Sequence, residues 1–80
     1  MLKIKEGINL KQLEKFGFKI EYEKQYYYIN TSEAEIFIWI VKGYDYKPRH
    51  LYIETKANER IVSEIGVVYD LIKADIVEKV

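Results

Sequence analysis

The stretch EIFIWIV, residues 35–41, decides how the rest of the chain is read. It has no helix breaker and is almost wholly β-branched or aromatic, the composition of a strand inside a sheet. Side chains alternate along a strand, so Ile36, Ile38 and Ile40 point to one side and Phe37, Trp39 and Val41 to the other. Neither side is polar, and cover is expected on both.

Working outward, the neighbouring segments take the same period of two. Phe18, Ile20 and Tyr22 alternate with charged residues and predict a half-buried strand with its apolar side in the core. Lys24-Gln25 is the expected hairpin turn. Tyr27 and Ile29 then share the core side of the next strand, with Tyr26 and Tyr28 opposite. Residues 30–34 form a polar turn, where Ser32 and Glu35 suit a short helical cap. After the central strand, residues 50–55 alternate again, with Leu51 and Ile53 inward and His50, Tyr52 and Glu54 outward. Lys56-Ala57-Asn58 resembles a turn, and residues 59–62 form either a marginal strand or the approach to a helix.

Helical patterns flank these strands. Asn9 is a good N-cap, Gln12 sits three residues on, and Ile8 and Leu13 suit a hydrophobic staple. Leu10, Leu13 and Phe16 form an apolar stripe that Gly17 ends, predicting a short helix over Leu10–Phe16 with Phe18 folded back on Leu13. A second helix is expected from an Ser63 cap to Ala74 or Asp75, burying Ile65, Val68, Tyr69, Ile72 and Ile76, with Leu71 widening the stripe. Leu2 and Ile4 make a short extended start, and residues 76–80 an extended or frayed end.

Helix, strands and helix in that order predict a single α+β domain over residues 1–80. The expected architecture is a two-layer sandwich, with an antiparallel sheet of three to five strands carrying both helices on one face. The other face then gathers Tyr26, Tyr28, Phe37, Trp39 and Tyr52. Rings of this size bury roughly 150–250 Å² each, and a monomer rarely leaves so large a patch open. The face is therefore expected either to contact a partner or to be covered by the termini or the loop at residues 42–49. That loop exceeds the needs of a tight hairpin and carries Tyr44, Tyr46, Lys47 and Arg49, with His50 just beyond it, so it joins the candidate contact surface.

Composition narrows the functional classes. With 13 basic and 13 acidic residues the net charge is zero, so no global field draws the chain to nucleic acid or an anionic membrane. No cysteine is present, which removes disulfides, thiolate nucleophiles and zinc–thiolate sites. The opening MLKIKEG lacks the apolar run of a signal peptide or membrane span, so the cytoplasm is the expected location and Asn30-Thr31-Ser32 no glycosylation site. The single histidine, His50, has no nucleophile at motif spacing, and Ser32 and Ser63 suit turn and cap roles better than attack. No enzyme activity, cofactor or metal is expected. Exposed rings on a sheet keep single-stranded nucleic acid as an alternative, with Lys42, Lys47, Arg49 and His50 for phosphates. Glu21, Glu23 and Glu54 beside the rings, and the missing glycine-aromatic signatures, count against it.

At LKQLEKFGFK and VVYDLIKADIVEKV the chain resembles small uncharacterised proteins of phages and prophages of Gram-positive bacteria. The likeness covers about the first 20 and last 15 residues and carries over no functional residue; Asp75 stands where a glycine is expected near the helix end. It implies a host-takeover, anti-defence or phage-regulatory accessory protein that works by binding, with the target left open; the aromatic face makes another protein, or a second copy in a homodimer, the expected partner.

Overall fold

A computed structural model describes residues 1–23, 25–43, 45–56 and 61–80. Strand β1 (Leu2–Ile4) is followed by a 3-10 helix (Leu10–Phe16), β2 (Lys19–Glu21), β3 (Tyr26–Asn30), β4 (Ala34–Trp39) and β5 (Leu51–Thr55). A short 3-10 turn (Val62–Glu64), helix α1 (Gly66–Lys73) and β6 (Val77–Lys79) complete the described chain. The fold is α+β, with a four-stranded antiparallel sheet ordered β2-β3-β4-β5 and a two-stranded antiparallel pair of β1 and β6.

The register of β4 is the one its alternation predicts. Ala34, Ile36 and Ile38 are fully buried, while Glu35, Phe37 and Trp39 are half-buried on the other side. The strand ends at Trp39, whose carbonyl accepts from Arg49 N–H, and Arg49, at φ 68°, turns the chain into β5. Val41 is consequently exposed. Ile36 and Ile38 share one buried cluster with Tyr27 of β3, Leu13 of the first helix and Val68 and Leu71 of α1, so both helices close the same core.

The first helix has the predicted bounds and caps but a tighter winding. Asn9 Oδ1 accepts from Lys11 N–H at 2.9 Å, and Gly17, at φ 95°, closes the end by donating to Glu14 and Leu13 carbonyls. Phe18 N–H also donates to Leu13 O, the expected fold-back. Leu10, Leu13 and Phe16 are spaced strictly by three, which a helix of three residues per turn aligns on one edge. An α-helix would spread them. Gly17→Ala forces a side chain into a left-handed position and sets its Cβ 3.2 Å from Ile29 Cδ1. The expected cost is about 1–2 kcal/mol in urea unfolding.

Four expectations are corrected. Tyr22, assigned to the core, is 77% exposed because β2 ends at Glu21 and the chain enters the turn that Gln25 completes at φ 56°. Ser63 does not cap α1: the helix starts at Gly66, its N-cap residue Ile65 makes no side-chain cap, and Gly66 N–H instead donates to Glu33 Oε1 of the β3–β4 turn. The buried line of α1 runs through Ile65, Val68 and Leu71, leaving Tyr69 55% and Ile72 40% exposed. Two turns of helix offer only one narrow contact line, and Leu71 lies on it. In the β3–β4 turn the capping side chain is Thr31, whose Oγ1 accepts from Glu33 and Ala34 N–H; Ser32 is exposed.

The chain ends meet. After α1, Asp75 takes φ 59°, a left-handed turn that aspartate tolerates where glycine is usual. That turn returns Ile76 and Val77 to the core and lays β6 against β1, pairing Ile4 with Val77 and Leu2 with Lys79. Of residues 59–62, the pair at 59 and 60 lies outside the described residues, as do Ala57, Asn58 and Lys24 of the expected turns; Val62 begins the 3-10 turn.

Among the described residues, Tyr27 is the one ionisable side chain in the buried core. Burial, then the charges of Glu14 and Tyr22, raise its phenol above the ordinary 10.0. As pH climbs past 10.0, the unfolded chain therefore loses this proton before the folded one does. Its contribution to stability is complete below that pH and is lost as pH rises through the raised folded value. Tyr27→Phe is expected to make alkaline unfolding shallower than in wild type.

Candidate functional site

The side of the large sheet away from the core is built in rows by the strand register. Tyr26 pairs with Trp39, Tyr28 with Phe37 and Phe37 with Tyr52, while Asn30, Glu35 and Glu54 form the next row. Tyr26 sits at the centre of the rings, 4.8 Å from Trp39, 5.5 Å from Phe37 and 6.0 Å from Tyr28 between centroids. These edge-on and tilted contacts suit aromatic quadrupoles.

The loop at residues 42–49 folds back over part of this face. Tyr46 stacks on Trp39 at 4.6 Å and 10° and meets Tyr52 edge-on at 4.9 Å. Lys47 N–H donates to Tyr52 Oη at 2.7 Å, and Gly43 N–H to Tyr46 O at 3.1 Å, which hold the loop in place. The expected cover by this loop is thus realised in part: Trp39 has gained a lid, and a groove stays open beside it.

The groove has a volume of about 820 Å³. Tyr26, Phe37, Trp39, Tyr46 and Tyr52 form its aromatic wall, and Met1, Leu2, Val62 and β5 the remainder. Leu51, Tyr52, Ile53 and Glu54 all line it. Consecutive residues of a strand face opposite ways, so a hollow that touches all of them must run along the strand's edge as well as over its face. Trp39 Nε1 is buried and has no hydrogen-bond partner among the described residues, so the indole offers the groove its ring and not its donor. Tyr46→Ala removes the lid: tryptophan emission is expected to shift to the red, with stronger acrylamide quenching and about 1 kcal/mol less stability.

The basic candidates divide. Lys47 is exposed, but Arg49 is turned inward: Nη1 donates to Lys5 O and Ile8 O, each at 2.9 Å, and Nε lies 3.5 Å from Glu6 Oε2. Its backbone N–H donates to Trp39 O, and its carbonyl accepts from Ile4 N–H. Arg49 therefore joins the β1 region to the large sheet and has little left to give a partner. His50 Nδ1 lies 3.0 Å from Pro48 O, and His50 bridges to Lys3. Tyr44 lies outside the described residues.

Sequence reasoning missed Met1, Leu2 and Val62 as groove residues. The apolar pair Ile61-Val62 ahead of α1 was the available signal for the last of these; nothing local places the first strand here. Glu35 and Glu54 stand directly opposite on β4 and β5, on the side of the rings, and neither has an ion-pair partner among the described residues. Among the described residues no group of His, Asp and Glu is placed to hold a metal ion, and no helix is long and apolar enough to cross a membrane.

The arrangement is that of an α+β protein with a ring-walled, carboxylate-edged groove, suited to stacking, apolar contact and attraction of positive charge. Comparison with family models, curated proteins and solved structures yields no match.

Proposed function

We propose that the chain is a non-catalytic binding protein whose contact site is the aromatic groove along β5. The observation that carries this reading is the open groove, about 820 Å³ and walled by rings that the protein's own loop only partly covers. Clefts of that size and lining are the usual form of a binding site. The likeness to phage and prophage proteins supports an accessory or anti-defence role exercised by occupying another protein, and the lack of cysteine suits the cytoplasm. The rings alone also favour single-stranded nucleic acid, by stacking. Arg49 is engaged internally and Glu35 and Glu54 border the rings, so a protein partner is the better supported reading.

Selection of a displayed library of random linear peptides on the immobilised protein tests the proposal. Enriched peptides are expected to lose binding to Tyr26→Ser and Phe37→Ser and to keep it on Asp70→Lys, a change on the exposed side of α1. Enriched peptides indifferent to both groove substitutions, or no enrichment at all, would contradict it.

A further inference from the structure

We infer that the groove takes an extended, basic segment of a partner protein, laid along β5 as an added strand. The inference rests on the groove being the contact site and adds the partner's chemistry. Its first support is the edge. Lys56 N–H donates to Glu33 O, and strand alternation from that bond turns the backbone of Tyr52 and Glu54 toward β4 and that of Ile53 and Thr55 outward. Beyond the Lys3–His50 bridge at the start of β5, no described strand pairs with that outer side. An extended peptide can satisfy those outward groups, with alternate side chains entering the groove.

Charge supplies the second support. Like charges directly opposite on neighbouring strands are destabilising, and Glu35 faces Glu54 with no ion pair to either among the described residues, the nearby Lys56 ammonium being bonded to Asn30 Oδ1. Glu54 also lines the groove beside Tyr52. A lysine or arginine entering at that end meets a carboxylate pair and aromatic ring faces together, and both attract a cation. An acidic or neutral strand gains only the apolar contacts.

Tryptophan emission gives the readout, because Trp39 lines the groove and is the single tryptophan of the chain. Three synthetic nonapeptides serve as probes: alternating Lys and Thr, the same with Glu for Lys, and the Lys peptide with alternate backbone nitrogens methylated. The Lys peptide is expected to bind saturably and the Glu peptide not to bind. Methylation, and separately the isosteric double change Glu35→Gln with Glu54→Gln, should each weaken binding about tenfold, or about 1.4 kcal/mol. Added salt should weaken it too. Equal binding of the Glu peptide, full affinity in the double variant, or no saturable response to the Lys peptide overturns the inference. A dimer seen by sedimentation that the Lys peptide cannot dissociate also overturns it, by placing a second copy in the groove. If these peptides fail while library-selected peptides still depend on Tyr26 and Phe37, only the basic strand is lost; if both fail, the groove is not the contact site.

Discussion

Ile38→Ala is expected to lower the unfolding free energy by about 3–4 kcal/mol. Ile38 is fully buried on the middle strand pair, opposite Tyr27 on one side and Leu51 on the other, in the cluster that both helices close. Truncation there removes the transfer free energy of three carbons and leaves a hole that paired strands on both flanks keep from collapsing. A domain of this length has roughly 4–12 kcal/mol in hand, so the variant should sit near its unfolding threshold at moderate temperature. Ile72→Ala makes the contrast. Ile72 belongs to the apolar pattern of the last helix yet is 40% exposed, and its loss should cost under about 1 kcal/mol. Urea unfolding of the two variants beside wild type measures the difference; equal losses would mean that the buried line of α1 does not run through Val68 and Leu71.

Arg49→Ala is the second large effect, about 2–3 kcal/mol. It removes two charge-assisted hydrogen bonds to the carbonyls of Lys5 and Ile8 and the contact with Glu6, and so detaches the β1 region from the loop before β5. The backbone makes a second contribution. At φ 68° any residue with a Cβ is strained, so Arg49→Gly loses the same bonds but regains about 1 kcal/mol. Arg49→Lys should resemble Ala, since an ammonium cannot reproduce the guanidinium fork. Each kcal/mol lowers the melting temperature by about 4–8 °C in a domain of this size. The expected order of melting temperatures is wild type, then Gly, then Ala and Lys together. Ala melting with wild type would show that Arg49 holds nothing.

The features legible in the sequence were those written in local period and cap chemistry. The two-residue period of β4 separated the isoleucines from Phe37 and Trp39, and Asn9 and Gly17 bounded the first helix at the right residues. What failed was set by distant partners. The winding of the first helix is the exception: the strict three-residue spacing of Leu10, Leu13 and Phe16 itself favours the 3-10 form, a distinction that a generic helical stripe does not make. The cap of α1 comes from Glu33, thirty-three positions away in the chain, so Ser63 was the best visible choice and the wrong one. The pairing of β1 with β6 joins three-residue strands from opposite ends, too short for any pattern to announce. Arg49 read as a solvated loop cation because its acceptors, two backbone carbonyls, carry no signature in residue type.

Half of the candidate site was visible in the same way. The rings of β3, β4 and β5 followed from alternation, and the loop at residues 42–49 was an expected cover, whereas the choice of Tyr46 as the ring that stacks on Trp39 was not written locally. The groove depended on Leu2 and Val62 arriving from elsewhere in the chain.

The most direct measurement of the whole account is a proton NOE spectrum of the tryptophan indole with the isoleucine, leucine and valine methyls labelled. Contacts from the indole to the rings of Tyr26 and Tyr46, and none to the methyls of Val68 or Leu71, are expected. Strong contacts from the indole to those α1 methyls would put Trp39 in the core and leave the protein without the groove.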